Sequence, residues 1–318
     1  MGRILILGGG GMIGQKLAAR LLAANATADV TLFDIGFPPN AVSGTAMETG
    51  NLATAGVVAG LAKQKFDTIF HLASIVSGEA ESNFTKGYTV NLHPMIAFLE
   101  ALRLEHEAES TYRPRFVFTS SIAVFGGPYP EWISDDFAPS PQTSYGTQKL
   151  MCEALVQDYS RKGFIDGLSL RLPTICVRPG KPNLAASSFF SGIIREPLNG
   201  QEAILPVPDT TRHWFATPKA AAGFLVHAAE LDTGMLGGHR ALNLPGVSCT
   251  VAQQIDALRT VAGQTPVELI SAQPDETIMS IVAGWPTGFT ADRATALGFS
   301  AETSFEEIIK TYIAEELS

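Results

Sequence analysis

The 318-residue chain is poor in the residues that mark several large classes of protein. Only 17% of all residues are charged, and the formal net charge is -9. Because the chain is acidic and has no Lys/Arg cluster, general electrostatic binding to nucleic acid or anionic membranes is not expected. The three cysteines (Cys152, Cys176 and Cys249) and the six histidines are scattered. We therefore expect neither a disulfide framework nor a metal site, and the reducing cytoplasm is the simplest compartment. No apolar run approaches membrane-spanning length, so no membrane partner is expected.

Short apolar segments alternate with longer helical segments over the first two thirds of the chain. The apolar segments are 3–7, 30–33, 68–73, 115–121 and 168–174. They are apolar at successive positions, as parallel strands covered on both faces are. The segments between them, such as 13–25, 90–108 and 145–163, have helical periodicity. This alternation predicts an α/β fold, a Rossmann-type doubly wound parallel sheet.

The composition changes after about residue 175. Segments rich in Pro, Gly and polar residues separate shorter helical pieces there, and a helix is predicted at the carboxyl end. We expect a first domain from 1–174 plus 216–244. A smaller, discontinuous C-terminal lobe that faces the substrate would comprise 175–215 and 245–318.

A glycine-rich loop follows the first predicted strand and opens the first predicted helix. Gly8, Gly11 and Gly14 give the spacing G-x-x-G-x-x-G. Glycines at this spacing allow a tight turn and a close approach of backbone amides to a pyrophosphate, and the helix N-terminus adds partial positive charge. We expect Gly8, Gly11, Met12, Ile13 and Gly14 to bind a dinucleotide, because both the strand and the helix are in place.

An aspartate ends the second predicted strand about twenty residues after the glycines. A carboxylate at this position accepts hydrogen bonds from ribose hydroxyls and repels a 2'-phosphate, and no Arg follows Asp34 directly. The pattern favours NAD over NADP, although an ordinary turn aspartate would look the same. Asn51 and Leu52 are candidates for contacts with the adenine.

The segment FHLAS ends the strand predicted over 68–73. Small residues at a strand's carboxyl end allow a cofactor to lie across the sheet, so Leu72, Ala73 and Ser74 are cofactor candidates. His71 is interpreted as a packed core histidine.

A tyrosine and a lysine stand four residues apart in TSYGTQK. Tyr145 and Lys149 would lie on one face of a helix. The lysine ammonium and the positive charge of an oxidised nicotinamide would stabilise the tyrosine phenolate, which is a usable general base. Ser121 ends the strand FVFTSS upstream.

Taken together, the glycine loop, Asp34, Ser121, Tyr145 and Lys149 resemble the extended short-chain dehydrogenase/reductase family, in its NAD-dependent epimerase/dehydratase branch. The resemblance covers nearly the whole chain. It implies that Ser121, Tyr145 and Lys149 are catalytic, with Tyr145 as the base. It also implies that Lys149 holds the nicotinamide ribose and that Ser121 binds the reacting oxygen.

The same resemblance adds two cofactor-side positions and a quaternary structure. Asn91 and Pro173 match cofactor positions of the family, although Asn91 could equally be a helix-start asparagine. The family also implies a homodimer formed by the helices near 90–102 and 145–155. Their apolar faces would equally suit burial against the sheet.

Three departures from the family pattern narrow the expected reaction. Ile122 and Ala123 replace the Asp-Glu pair that dehydratases carry, so dehydration is not expected. Phe125 replaces a tyrosine, and Thr174 stands where most sugar-nucleotide enzymes have asparagine. The segments HLASIVSGEAESNF and RLPTICVRPGKPNLAASSFFSGIIREPLNGQ resemble the D-erythronate dehydrogenase group. That likeness implies NAD-dependent oxidation of the C2 hydroxyl of a small sugar acid.

A sugar-acid substrate needs a cation for its carboxylate and polar groups for its hydroxyls. Arg178 and Arg212 are the candidate cations, although either could be a surface or ion-paired arginine. Ser74, Ser121, Tyr145 and Thr174 are the candidate polar contacts. A sugar-nucleotide 4-epimerase and a non-catalytic NAD-binding regulator remain as alternatives.

Overall fold

The predicted strands form the middle of a seven-stranded sheet in a computed structural model, which describes residues 2–180 and 187–317. In chain order the strands are β1 (Ile4–Leu7), β2 (Val30–Asp34), β3 (Ala46–Thr49), β4 (Thr68–His71), β5 (Arg115–Ser121), β6 (Asp166–Leu172), β7 (Thr174–Ile175), β8 (Ala203–Leu205), β9 (Arg212–Ala216), β10 (Ala241–Asn243), β11 (Val247–Thr250) and β12 (Ile270–Ala272). The large sheet has the order β10-β6-β5-β4-β1-β2-β3. The pairs β1–β2, β1–β4, β2–β3 and β4–β5 are parallel.

Helices connect the strands and cover the sheet. They are α1 (Met12–Ala24), α2 (Val57–Ala62), α3 (Ser77–Ser82), α4 (Phe84–Asn91), α5 (His93–Ala108), α6 (Ser144–Arg161), α7 (Ser188–Leu198), α8 (Pro218–Glu230), α9 (Val251–Ala262), α10 (Gln264–Val267), α11 (Glu276–Ala283), α12 (Asp292–Ala296) and α13 (Phe305–Glu316). Strands β1 and β4 are buried along their whole length, as the continuous apolar pattern predicts. The prediction of a Rossmann-type α/β fold is confirmed.

One predicted helix has different limits in the structure, and one strand of the large sheet was not predicted. The single helix expected over 90–108 is two helices, because α4 ends at Asn91 and α5 begins at His93 with Pro94 in its first turn. A proline fits the first turn, where its missing N–H is not needed, but it disrupts a helix interior. Strand β3 was not predicted. It lies at one edge of the sheet, and its four residues lack a buried apolar run.

The chain forms two compact units. The first comprises 1–124, 141–171 and 222–242, and it carries most of the large sheet. Its core between sheet and helices includes Leu5, Leu7, Phe98, Phe116 and Phe118. No helix of the residues that the structure describes has the length and apolar character needed to cross a membrane.

The second unit comprises 125–140, 172–221 and 243–318. It contains a three-stranded sheet of order β11-β9-β7 and the parallel pair β8–β12. Its core includes Phe190, Phe215 and Ile308. Part of the loop expected to face the substrate, residues 181–186, lies outside the described residues.

The expected domain limits differ from these units mainly at 125–140. This segment was expected in the first domain, but in the structure it packs within the second unit. Phe125 lies 5.9 Å from Phe137 and 5.5 Å from Phe289 between ring centroids. Ile133 forms a bridge with Phe289. A segment of turns and single aromatic residues has no periodicity that would have indicated its packing partner.

Candidate active site

The glycine loop after β1 packs tightly on the end of β4. Gly8 has a φ of 84°, which favours glycine, and a Cβ there would lie 2.7 Å from the Ala73 backbone nitrogen. A Cβ at Gly14 would lie 2.4 Å from the Gly8 carbonyl oxygen. Both positions require glycine for steric reasons. The loop, Leu72 and Ala73 therefore come together as predicted from their strand-end positions.

Gly10 connects this loop to the aspartate that ends β2. Its N–H donates to Asp34 Oδ2 at 2.9 Å, and the Ile35 N–H donates to Asp34 Oδ1 at 2.7 Å. A Cβ at Gly10 would lie 2.2 Å from the Gly36 carbonyl oxygen. Gly10 was not predicted as a site residue, because the three-glycine spacing does not include it. Its position fixes the side chain of Asp34 beside the loop.

Gly11 differs from its neighbours because the fold leaves room for a side chain there. It is exposed and precedes α1, and a Cβ would meet only the Gly8 carbonyl oxygen, at 3.4 Å. Met12 and Ile13 follow as the half-buried first residues of α1. A phosphate group at this helix N-terminus would need the space that a Cβ occupies. The loop thus fits a dinucleotide pyrophosphate.

The parallel pairing of the strands brings the other predicted cofactor residues to the same edge of the sheet. Asn51 and Leu52 follow β3, and the preceding Gly50 N–H donates to the Asp34 carbonyl oxygen at 2.9 Å. The Leu72 N–H donates to the Leu7 carbonyl oxygen at 2.8 Å. Asn51 is exposed and Leu52 is half-buried. The carboxyl ends of parallel strands are where ligands bind in such sheets.

Asn91 joins the segment after β4 to helix α6. Its Oδ1 accepts from the Ile75 N–H at 2.8 Å and from the Ser74 hydroxyl at 3.1 Å. Its Nδ2 donates to Gln148 Oε1 at 2.8 Å and to the Ile75 carbonyl at 3.4 Å. These bonds use the hydrogen-bonding capacity of the amide. In the first unit Asn91 fixes Ser74 and the residue that precedes Lys149.

His71 is a core residue under the same strand end. It is 2% exposed and lies against Phe116 and Phe118, with centroid distances of 6.1 and 5.9 Å. Burial, together with the Lys149 charge, lowers the pKa of His71 to about 3. Neither ring nitrogen has a hydrogen-bond partner among the residues that the structure describes. The imidazole is therefore neutral at physiological pH.

Tyr145 and Lys149 occupy the first two turns of α6. Thr143 caps this helix by accepting from the Gly146 N–H at 3.1 Å. Lys149 is buried, and its Nζ donates to the Thr119 carbonyl at 2.8 Å. The same Nζ lies 5.5 Å from the centre of the half-buried Tyr145 ring. The spacing of four residues does place both side chains together on one helix face.

Close packing of α6 on the turn after β5 brings Ser121 to this region. A Cβ at Gly146 would lie 2.0 Å from the Ala123 carbonyl oxygen, so only glycine permits the approach. Ser121 Oγ accepts from the Ala123 N–H at 3.1 Å. Thus Tyr145, which precedes Gly146, and Ser121, two residues before Ala123, belong to one small region of the first unit.

A buried ion pair that the sequence analysis missed anchors α6 one turn after Lys149. Arg171 of β6 binds Glu153 through Nε at 3.0 Å and Nη2 at 2.7 Å. The Ser120 hydroxyl donates to Glu153 Oε1 at 2.5 Å. Both charged side chains are nearly inaccessible to water. The one available signal was that Glu153 continues the series Tyr145, Lys149 at four-residue spacing.

In the second unit, Thr174 pairs with a buried histidine. Thr174 Oγ1 lies 2.6 Å from His213 Nε2, and His213 Nδ1 lies 3.0 Å from the Pro286 carbonyl oxygen. Thr174 is half-buried and His213 is 2% exposed. Burial lowers the pKa of His213 to about 4. Pro173, directly before Thr174, is buried.

The two arginines predicted to bind a carboxylate have different environments within the second unit. Arg178 is half-buried, its Nη2 donates to Ser187 Oγ at 3.4 Å, and burial lowers its pKa. No carboxylate among residues 2–180 and 187–317 forms an ion pair with it. Arg212 is exposed and donates to the Ser248 carbonyl at 3.2 Å. A half-buried cation without a counter-ion is typical of an anion site, whereas a solvated one is not.

Comparison with known proteins agrees with this arrangement at the level of the family. The model of the NAD dependent epimerase/dehydratase family matches residues 4–239. The chain belongs to this epimerase/dehydratase family. The predicted family is thereby confirmed, and NAD is its cofactor.

Three known proteins are similar to this chain over nearly its whole length. D-erythronate dehydrogenase of Cupriavidus necator is 44% identical, with 98% of each chain covered. D-erythronate dehydrogenase of Haemophilus influenzae is 42% identical, covering 99% of this chain and all of the relative. A crystal structure described as a nucleoside-diphosphate-sugar epimerase from Agrobacterium tumefaciens is 51% identical, with a TM-score of 0.95, and covers 99% of this chain and 94% of that one.

Because the two glycines have different roles, replacement by alanine should weaken NAD binding at one position and lower stability at the other. Gly11→Ala should change the free energy of unfolding by less than about 1 kcal/mol and weaken NAD binding about 10-fold or more, because the methyl group takes the phosphate's place. Gly14→Ala should cost about 1–3 kcal/mol of stability through overpacking. Calorimetric NAD titration and urea unfolding measure both. Gly60→Ala, where a Cβ meets nothing within 4 Å, is the control.

The buried ion pair predicts a large loss of stability from a small change. Glu153→Gln removes the carboxylate that pairs with the buried Arg171 charge and should lower the free energy of unfolding by about 3–5 kcal/mol. On the same helix, Asp158→Asn breaks the exposed pair with Arg161 and should cost less than about 1 kcal/mol. Chemical denaturation provides the measurement. Equal losses for the two variants would contradict the anchoring role of Glu153.

Proposed function

We propose that the chain is an NAD-dependent dehydrogenase that oxidises the C2 hydroxyl of D-erythronate to 2-dehydro-D-erythronate. The observation that carries the proposal is the 42–44% identity, over essentially full length, to two D-erythronate dehydrogenases. The local chemistry agrees with it. A tyrosine-lysine pair suits proton removal from a carbinol, and Ile122 and Ala123 provide no acid or base for elimination of water.

The residues at the carboxyl edge of the large sheet would hold the cofactor. Gly8, Gly11 and the start of α1 would hold the pyrophosphate, and Asp34 would accept hydrogen bonds from the adenosine ribose. Asp34 is already oriented by two backbone N–H groups. Bound NAD supplies the acceptor for the hydride that leaves C2. This role assigns cofactor binding to the first unit.

Tyr145 would remove the proton of the substrate hydroxyl. The ammonium of Lys149, which is buried and lies 5.5 Å from the centre of the Tyr145 ring, would stabilise negative charge that develops on the phenol oxygen, and its bond to the Thr119 carbonyl fixes its position. Its remaining donors would hold the nicotinamide ribose. The Ser121 oxygen accepts from the Ala123 N–H, so its hydroxyl can donate to the reacting oxygen.

Arg178 would bind the substrate carboxylate. Its partial burial raises the free energy of the charged side chain, and a bound carboxylate would offset that cost through two parallel hydrogen bonds. The nearby Arg195 is neutralised by Glu196 at 2.5 Å and so does not compete for the anion. Arg212 is exposed and gains less from an ion pair.

A sugar-nucleotide 4-epimerase is the second candidate. The observation that favours it is the description of the 51% identical crystal structure as a nucleoside-diphosphate-sugar epimerase. Such an enzyme uses the same tyrosine and lysine but returns the hydride to the sugar. The two reactions therefore differ in whether reduced cofactor accumulates.

We also propose that the protein is a cytoplasmic homodimer. Ile96 and Leu104 on α5 are large apolar side chains with exposed fractions of 42% and 52%, which supports pairing of this helix with a second copy. Cys152, Cys176 and Cys249 are unpaired and buried, as expected in a reducing compartment.

Reduction of NAD separates the two candidate reactions. Purified protein with NAD and D-erythronate should form NADH, measured as absorbance at the NADH band, whereas UDP-glucose and UDP-galactose should form none. Tyr145→Phe should lower kcat about 100- to 10,000-fold, because it removes the general base. Interconversion of the UDP-sugars without NADH release would support the epimerase instead.

Substitution of the two arginines tests carboxylate recognition. Arg178→Gln should lower kcat/KM for D-erythronate about 10- to 100-fold, mainly through KM, because a charged hydrogen-bond pair is lost. The matched variant Arg212→Gln should change kcat/KM by less than about 3-fold. Steady-state kinetics of both variants measures these changes. A larger loss of kcat/KM in Arg212→Gln would mean that Arg212, and not Arg178, binds the carboxylate.

A further inference from the structure

The hydrogen bonds around His213 fix which of its nitrogens carries the proton. Nδ1 lies 3.0 Å from the Pro286 carbonyl oxygen. A carbonyl oxygen only accepts, so Nδ1 must carry the hydrogen. In the neutral ring Nε2 then has a free lone pair, and the Thr174 hydroxyl 2.6 Å away must donate to it.

The surroundings of His213 keep the ring neutral and in place. Phe190 stacks on the ring at 5.4 Å with an interplanar angle of 7°. Phe215 contacts it edge-on at 5.4 Å, and Trp285 lies 5.2 Å away. Burial lowers the pKa of His213 to about 4, and the bond to the Pro286 carbonyl offsets this only in part. Above pH 5 the ring therefore has no second proton to give Thr174.

We propose that His213 makes Thr174 an obligate hydrogen-bond acceptor, which selects a hydroxyl of the substrate's polyol chain and disfavours its carboxylate. Thr174 has one proton, and that proton is committed to Nε2, so Oγ1 offers only lone pairs. A carboxylate also has only lone pairs and would be repelled, whereas a hydroxyl can donate. His213 is a positioning residue in this scheme and Thr174 makes the contact.

This inference rests on the proposed oxidation of D-erythronate and deepens it. After the C2 hydroxyl is assigned to the reaction and the carboxylate to Arg178, the C3 and C4 hydroxyls remain to be recognised. Thr174 is half-buried on β7, opposite Phe215 of β9, so its position is fixed by the sheet. A fixed acceptor distinguishes a sugar acid from a deoxy acid of the same length.

The first test measures the tautomer without any turnover. The protein labelled with 15N-histidine has six histidines, and the His213 signals are assigned by their loss in His213→Phe. We expect a protonated Nδ1 and an unprotonated Nε2, unchanged between pH 8 and pH 5.5. An Nε2–H tautomer, or a doubly protonated ring, would overturn the inference whatever the substrate proves to be.

The second test measures recognition of the hydroxyl. Thr174→Val should lower kcat/KM for D-erythronate about 3- to 10-fold, and Thr174→Ser should restore it. For either the 3-deoxy or the 4-deoxy analogue, wild type and Thr174→Val should be equal, because the recognised group is missing. The corresponding fluoro analogue, which cannot donate, should behave like the deoxy compound.

Two outcomes separate this inference from the proposed function. No NADH from wild-type protein with D-erythronate would reject the function, while the tautomer measurement still decides the polarity of Thr174. If the protein oxidises D-erythronate, two results would reject the inference alone. One is that Thr174→Val lowers kcat/KM for the deoxy analogues as much as for D-erythronate, and the other is that wild type has the same kcat/KM for the fluoro analogue as for D-erythronate. In His213→Phe the preference for hydroxyl over fluorine should fall below the roughly 3- to 10-fold of wild type, because the proton of Thr174 is no longer held by Nε2 and Thr174 is no longer restricted to accepting.

Discussion

The hydrogen bond from Lys149 Nζ to the Thr119 carbonyl is the constraint on which the candidate site depends. It places a cation, buried in helix α6, on the end of strand β5 at a distance of 2.8 Å. Without this bond the ammonium would lose the carbonyl oxygen that accepts its hydrogen bond, and a buried charge without such compensation is costly. Because the bond joins α6 to β5, it also fixes Tyr145, on the same face of α6, relative to Ser121 at the end of β5.

Other contacts of α6 maintain that geometry. Three contacts along α6 fix its position. They are the Thr143 cap, the close approach of Gly146 to Ala123, and the ion pair of Glu153 with Arg171. The last of these also binds Ser120, the neighbour of Ser121. Fixed geometry of this kind reduces the reorganisation that a proton transfer requires. Stability and chemistry therefore depend on the same helix.

The fold and the central motifs could be predicted because the residues that specify each of them are close together in the sequence. Strand, glycine loop and helix are consecutive, and Tyr145 and Lys149 are separated by one helical turn. The pairing of Glu153 with Arg171 could not be predicted, because the two residues lie on different elements whose packing the pattern does not specify. The same holds for Thr174 and His213. Edge strand β3 was missed because an exposed strand has no buried apolar run.

Family membership alone does not distinguish a dehydrogenase from an epimerase, so the residues outside the common motif must do so. Tyrosine, lysine and NAD serve both dehydrogenases and epimerases of this kind. In our proposal the difference lies in the second unit, where Arg178 is half-buried and forms no ion pair with a carboxylate of the described residues, and where the Thr174 hydroxyl lies 2.6 Å from His213 Nε2. Such groups would suit a small hydroxy acid whose anion and hydroxyls are recognised by different residues, as we propose.

The central claim is that hydride leaves C2 of the substrate permanently, and an isotope measurement tests it most directly. D-erythronate deuterated at C2 is incubated with NAD and the protein, and the released cofactor is examined by mass spectrometry. We predict NADH that carries the deuterium, free in solution and in amounts that exceed the enzyme many times over. Substrate that keeps its deuterium, with no labelled NADH released, would contradict the dehydrogenase assignment.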